Sequence, residues 1–198
     1  MLNIIHKIVA NPLIYDFCQW LAGASVNKKF FREEFASLPE KGCVLDVGGG
    51  TGLSRPLLPA GWNYCCLDPD PQKLKGFRAK YPRDESVQAS ACNIPLPNES
   101  FDLCIMIAVS HHLTDEEFRL SLCEIHRLLR PGGKFILMDA VWNPSNIRSR
   151  LLWFLDRGSY PKQRHILEGF VSNIFPIIST KKWKVHHEYV LFMCVKNN

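Results

Sequence analysis

The sequence predicts a doubly wound α/β fold: a mostly parallel sheet with helices on both faces. Three observations carry this. Val44-Leu45-Asp46-Val47-Gly48-Gly49-Gly50-Thr51-Gly52 is an apolar run that ends in an acid and a glycine-rich turn. A buried parallel strand delivers its backbone to a nucleotide-like ligand in this way, because glycine permits φ > 0 and close approach to the main chain. Phe101–Ala108 is almost continuously apolar, as expected of a strand covered on both faces. Strand-like and helix-like segments also alternate through the middle of the chain.

Taken in order, residues 1–38 read as helix with a break near Asn11-Pro12, because Tyr15, Trp20 and Leu21, and later Phe30, Phe31 and Phe35, fall at helical spacing. Pro39-Glu40-Lys41-Gly42 is a turn before a first strand, Cys43–Val47. A helix is expected from Gly52 to before Pro59-Ala60-Gly61. A second strand, Asn63–Leu67, ends at Asp68-Pro69-Asp70, and Pro71 opens a helix reaching about Lys80. Residues 86–90 make a short third strand, and Phe101–Ala108 is the fourth. Thr114 with Glu117 has capping-box spacing and opens a helix with Phe118, Leu122, Ile125, Leu128 and Leu129 on one face. Arg130-Pro131-Gly132-Gly133 turns into a fifth strand, Lys134–Asp139. Residues 142–175 read as irregular, then helical. Trp183–His187 and Tyr189–Val195 read as two further strands. No internal repeat or low-complexity tract is present.

A length of 198 residues gives one domain with room for a core. With 46% apolar and 22% charged residues, the composition is that of a globular chain rather than a disordered one. The net charge of +5 is scattered, which reads as a solvated surface and not as a nucleic-acid face. None of the 8 cysteines forms a Cys-x-x-Cys pair or stands near a His cluster at zinc spacing, so no metal site is expected. They read as buried free thiols, which fits a reducing compartment and places the protein in the cytoplasm. His6, Lys7, Pro12 and Asp16 interrupt the apolar N-terminal segment, so neither a signal peptide nor a stable membrane insertion is expected. That segment reads as amphipathic helix, either a lid over the site or a contact with a membrane surface, and the lid is the favoured reading.

Asp68 stands about twenty residues past the start of the glycine motif, where dinucleotide folds place an acid on ribose hydroxyls. The competing reading is that Asp68 caps the following helix, although Asp70 offers a cap of its own. A dinucleotide-dependent dehydrogenase would need a second half and a substrate domain, for which the chain is short.

These residues resemble the class I S-adenosylmethionine-dependent methyltransferases of the small type 11 kind. Val44–Gly52 matches that family's first motif, and Cys65-Cys66-Leu67-Asp68-Pro69-Asp70 its second. Ser90–Asp102 matches the adenine-holding stretch, Ala108-Val109-Ser110-His111-His112-Leu113 the end of the fourth strand, and Leu128–Gly133 the turn before the fifth. The resemblance covers roughly residues 40–140. It implies a seven-stranded sheet with the last strand antiparallel, in a single domain over 1–198. Residues 1–38 would be a helical lid, 40–140 the cofactor core, 141–180 a lid and substrate segment, and 181–198 the C-terminal strands.

The resemblance implies S-adenosyl-L-methionine as cofactor. Asp46, Gly48, Gly49 and Gly50 would line its methionine portion, Asp68 would hold the ribose and Pro69 would lie against the adenine. Ser90, Ala91, Cys92 and Val109 would complete the cofactor site, with the Ala91 amide facing an adenine nitrogen. Ser90 departs from the family pattern, which often has an acid there; a neutral acceptor makes a weaker hydrogen bond.

Methyl transfer from a sulfonium asks mainly for positioning and exclusion of water. His111 and His112, at the carboxyl end of the fourth strand, are the candidates for a proton-accepting catalytic base. Their structural alternative is backbone bonding at the turn and lining of the pocket wall. Tyr15, Trp20 and Trp142 are the candidate substrate-binding rings, joined by Trp153, Phe154 and Tyr160 if the flanking segments fold over the sheet edge. Plain packing of lid helices explains each ring as well. The expected activity is methyl transfer to a small, apolar or aromatic molecule by a monomer or homodimer. A methyltransferase of protein or RNA, and a non-catalytic binding module, are the alternatives.

Overall fold

The computed structural model describes residues 24–36, 38–146, 149, 153, 160–185 and 187–197. Tyr15, Trp20 and Phe154 lie outside the described residues, as does most of the expected N-terminal lid. Helix α1 spans Ala24–Phe35, strand β1 Gly42–Val47, β2 Trp62–Leu67, helix α2 Pro71–Lys80, β3 Glu85–Val87 and β4 Phe101–Ile107. Helix α3 spans Asp115–Leu128, β5 Leu129–Val141, α4 Arg164–Ser172, β6 Ile177–Lys184 and β7 Glu188–Val195.

The seven strands form one sheet in the order β3-β2-β1-β4-β5-β7-β6. Strands β1 to β5 run parallel, and β7 is antiparallel to both β5 and β6. The order reverses beside β1, where the chain leaves β1 toward β2 on one side and β4 lies on the other. Open α/β sheets place ligands at such a switch point, outside the carboxyl ends of the strands. The ends of β1, β2 and β4 therefore bring Asp46, Asp68 and the His111 turn to one edge.

Two apolar clusters fill the two sides of the sheet. Leu45, Val47, Cys65, Leu67, Cys104 and Met106 pack against α3 and α4 through Phe118, Leu122, Ile125, Leu167 and Val171. Val44, Tyr64, Cys66, Leu103, Ile105 and Leu191 pack against α1 and α2 through Phe31, Phe35, Leu74 and Phe77. Alternate residues of one strand thus face opposite layers, both dry, as the continuous apolar runs require.

Several sequence-based boundaries change. No α-helix follows Gly52: turns lead to a single 3-10 turn at Arg55–Leu57. Pro56 has no N–H to donate, and Pro59 forces Leu58 into extended backbone, φ −86°, ψ 152°. The fifth strand begins at Leu129 rather than Lys134, so Arg130-Pro131-Gly132-Gly133 is an irregularity within it and Leu129 belongs to the strand. The sixth strand starts at Ile177 and ends at Lys184, and His187 sits in the connection to β7. Alternating exposure along β6 fits an edge strand with one wet face.

All seven described cysteines are free. Burial pushes the Cys65 and Cys194 thiols up to about 12, and raises Cys66 and Cys104 further. These four behave as small apolar side chains. Cys123 differs from the expectation of burial and lies exposed on α3.

Candidate functional site

The glycine loop is built around two buried acids. Gly48 and Gly50 take φ of 73° and 58°, the left-handed region where a Cβ is penalised. The amides of Gly48 and Gly49 donate to the carbonyl of Leu67 at 2.7 and 3.1 Å, which folds the loop back over β2. Space forbids a side chain at two of the loop glycines. A Cβ on Gly48 would lie 2.5 Å from Val109 Cγ2, and one on Gly49 would lie 2.8 Å from Asp46 Cγ and 2.9 Å from Cys66 Sγ. Val109 therefore packs on the glycine loop.

Asp46 is 1% exposed. Burial raises its carboxyl from the ordinary 3.8 to about 6, against hydrogen bonds from the Tyr64 and Ser54 hydroxyls, while the Asp68 charge adds to the rise. Tyr64, facing it from β2, donates its hydroxyl to Asp46 Oδ2. An anion kept this dry gains strongly from an arriving cation.

Asp68 is 2% exposed and does not cap α2. Asp70 does so, accepting from the Gln72 and Lys73 amides. Asp68 Oδ2 instead accepts from the Gly50 amide at 3.1 Å, and Oδ1 from the Asp70 amide at 2.9 Å, with Lys73 Nζ at 3.8 Å. A carboxylate has about four lone-pair directions. Two backbone bonds fix its orientation and leave it able to accept from a diol. The chemistry of the set fits S-adenosylmethionine: a dry carboxylate for an ammonium, a second for ribose hydroxyls, and a loop of backbone amides. Pro69 follows on the surface.

Residues 90–98 are held by α3 rather than by their own short bridge. The Ile94 amide donates to Glu124 Oε2 at 2.7 Å. Arg127 donates to the Ile94 and Leu96 carbonyls and to Asn98 Oδ1, and pairs with Glu124 at 2.8 Å. The Ser90 hydroxyl oxygen already accepts from the Cys92 amide at 3.2 Å, so it is partly spent as an adenine acceptor. Ala91 is buried beneath this turn and Cys92 is half-buried, its thiol donating to the Glu117 carbonyl. Sequence reasoning missed Glu124 and Arg127; their i,i+3 spacing on α3 was the available signal.

At the end of β4, Ala108 takes φ 55° and a 3-10 turn, Ser110–His112, follows. This turn separates the two histidines. His111 is 6% exposed, whereas the His112 ring lies exposed against it with centroids 4.2 Å apart. His111 Nδ1 is 2.7 Å from Asp139 Oδ1. Asp139, fully buried near the end of β5, also accepts from the Ser110 hydroxyl and from the His111 and Ala140 amides. Burial alone would raise its carboxyl, but the His111 charge and these hydrogen bonds hold it below the ordinary carboxylate range. Asp139 was absent from the sequence-based candidates, since a lone acid at a strand end carries no local signature.

Lys162 closes the same corner. Its ammonium donates to the carbonyls of Ser110, Leu113 and Tyr160, at 3.2, 2.6 and 3.2 Å. Burial lowers its pKa, opposed by Asp115 at 3.5 Å. Trp153 packs edge-on to His111 and His187, with centroids at 5.2 and 4.9 Å, and its buried Nε1–H has no hydrogen-bond partner among the described residues. His187 Nδ1 lies 2.8 Å from the Ser149 hydroxyl. Trp142 is half-buried against the second cluster, its amide donating to the Lys162 carbonyl at 2.8 Å. Tyr160 is 47% exposed and Trp142 touches the packing of β5 and β7, so the expected rings do not all converge. Among the described residues no cluster of His, Cys, Asp or Glu has metal-binding geometry, and no helix is long and apolar enough to cross a membrane.

Known proteins resemble this chain in sequence and in fold. The family model described as "Methyltransferase domain" matches residues 45–137. An "uncharacterized methyltransferase" of Mycobacterium bovis is 35% identical over 116 residues, covering 58% of this chain and 44% of that protein. A phthiotriol/phenolphthiotriol dimycocerosates methyltransferase of Mycobacterium leprae is 40% identical over 99 residues, covering 50% and 35%. The chain thus spans less than half the length of these curated relatives. A crystal structure of a Pyrococcus horikoshii OT3 protein superposes with a TM-score of 0.74 at 17% identity, covering 94% of this chain and 93% of that one, which is a likeness of fold. The glycine loop, both acids and the fourth-strand turn lie inside the matched stretch, so through residues 45–137 the chain is similar to the methyltransferase-domain family.

Proposed function

We propose that this protein is an S-adenosylmethionine-dependent methyltransferase acting on a small molecule. The observation that carries the reading is the pair of buried carboxylates, Asp46 and Asp68, bracketing a loop in which Gly48 and Gly49 have no room for side chains. Asp46 holds the donor's ammonium. Asp68, oriented by the Gly50 and Asp70 amides, accepts from the ribose hydroxyls. The 90–98 loop, braced by Glu124 and Arg127, covers the adenine, with Pro69, Ala91 and Cys92 alongside.

When bound, S-adenosylmethionine supplies an electrophilic methyl on an activated sulfonium. The chain's residues position the acceptor in line with that methyl and exclude water. The dry His111 corner, with Trp153, His187 and Trp142 around it, is the acceptor end of the site. A small-molecule acceptor is supported by the M. leprae relative, named for a lipid substrate, and by the scattered charge that offers no nucleic-acid track. We place the reaction in the cytoplasm, in line with the free thiols.

Calorimetric titration with S-adenosylhomocysteine tests the reading. One-site binding by the native chain is expected. Binding that is absent, or unaltered when Asp46 and Asp68 are both replaced by alanine, would overturn it.

A further inference from the structure

We infer that Asp139 is the positioning residue of a His111 proton acceptor, and that the methyl acceptor is therefore a hydroxyl group. This deepens the methyl-transfer reading and rests on it. The dyad is built from two strand ends. Asp139 comes from β5 and His111 from the turn after β4, and the sheet register that pairs Ile107 with Met138 brings them together. The Asp139 carboxylate takes hydrogen bonds from the Ser110 hydroxyl and from the amides of His111 and Ala140, in addition to His111 Nδ1 at 2.7 Å. An ionised carboxylate can only accept, so Nδ1 carries the hydrogen, and Nε2 is the basic nitrogen of the neutral ring. A proton gained at Nε2 makes an imidazolium whose charge the buried Asp139 offsets.

That arrangement selects among acceptor atoms by chemistry. A neutral amine attacks a sulfonium through its own lone pair, and its product sheds a proton to water afterwards. A thiol is already partly thiolate near neutral pH. A hydroxyl is a poor nucleophile, and its methylated oxonium is strongly acidic, so its proton must leave as the bond forms. The balanced step is a displacement in which oxygen forms a bond to the methyl carbon. The carbon–sulfur bond breaks, its electron pair neutralises sulfur, and the hydroxyl proton goes to His111 Nε2. The buried Nε1–H of Trp153, unpartnered among the described residues and carried on a ring that packs against His111, favours an oxygen-bearing molecule over a cation. Among the described residues, the charged and titratable groups around His111 include Asp139 on β5, His112 on its own turn, Lys162 through the Ser110 carbonyl, and His187 across Trp153. None of the other three is placed to fix the Nδ1 hydrogen as Asp139 is.

Nitrogen-15 NMR of the histidine side chains tests the dyad without any acceptor, with the His111 signals identified by their loss in His111→Gln. In the native chain the neutral ring is expected to carry its hydrogen on Nδ1. Asp139→Asn is expected to lower the His111 titration midpoint by a pH unit or more, and Asp139→Glu to recover part of the shift. A neutral ring protonated on Nε2 in the native chain, which requires no variant to fold, would overturn the inference. So would a midpoint unchanged in a folded Asp139→Asn.

Transfer from methyl-labelled donor to 1-naphthol, set against 1-naphthylamine and thiophenol, reads the acceptor class. Methylation of the naphthol that falls about 10²–10⁴-fold in His111→Gln supports it. Methylation of the naphthol that is unchanged in His111→Gln overturns it, as does a native chain that methylates the amine or the thiol and not the naphthol. Calorimetry with S-adenosylhomocysteine separates the levels: the His111 and Asp139 variants should bind it as the native chain does, whereas failure of native binding indicts the methyl-transfer reading itself.

Discussion

On the proposed function, Asp46 is where stability and donor binding pull in opposite directions. Its folded pKa of about 6 stands above the ordinary 3.8. A raised acid gives stability that is fully present below about 3.8 and is lost as pH rises through about 6, at most about 3 kcal/mol for a shift of this size. The donor's ammonium, in contrast, needs the anion. Donor affinity is therefore expected to fall as pH drops below about 6, and calorimetry from pH 5 to 8 would register it. Asp46→Asn should flatten that profile and weaken donor binding tenfold or more. Its melting temperature at pH 7.5 should equal or exceed the native value; a marked drop there would contradict the account. Tyr64→Phe removes the hydroxyl that favours the anion and should move the binding midpoint to higher pH. Asp46 and Asp68 were both legible in the sequence, because each ends an apolar run at a fixed place relative to the glycines. Asp139, Glu124, Arg127 and Lys162 were not: their partners lie 28 or more residues away for Asp139 with His111, Glu124 with Ile94 and Lys162 with Leu113. Only folding brings such pairs together.

At the scale of elements, the loop and the braced segment behave as separate devices. Gly49→Ala would drive a methyl group to within 2.8 Å of the Asp46 carboxylate, with Cys66 behind it. It should cost about 1–3 kcal/mol of stability and most of the donor affinity. Gly169 is the control. It lies inside α4, and an added methyl there would meet nothing within 4 Å, so Gly169→Ala should stabilise by about 0.5–1 kcal/mol in denaturant melts. If both substitutions behaved alike, crowding at the loop would not be the cause. Thr114 forms the capping box with Glu117 at the head of α3, and its exchange for alanine should cost about 1 kcal/mol. Strands with dry neighbours on both sides were readable from composition, as was α2 with its opening proline and α3 with its box. The stretch after Gly52 misled because Leu57 and Leu58 imitate a helical face, while Pro56 and Pro59 remove the hydrogen bonds a helix needs. β6 was misplaced because its alternating, lysine-rich pattern carries little apolar signal before Trp183.

The whole molecule is a sheet whose reversal of strand order opens one edge, with Asp46 and Asp68 at the ends of β1 and β2 and the His111–Asp139 corner on the other side of β1. A ligand bound across that edge ties β1, β2, β4 and the 90–98 loop together, so it should stabilise the entire fold. At one hundred times its dissociation constant, S-adenosylhomocysteine should add about 2.7 kcal/mol, visible as a rise in melting temperature. The parallel architecture was legible because its alternation of elements is a long-range rhythm written locally. The His111 corner was not, since it is assembled from the β4 turn, the end of β5, residues around 160 and the connection before β7. The most direct measurement is a calorimetric titration of S-adenosylmethionine into the native chain, Asp46→Ala and Asp68→Ala. The account predicts a single site in the native chain, weakened at least about tenfold in each variant while both remain folded. Equal affinity across all three chains, or no binding by any, would contradict it.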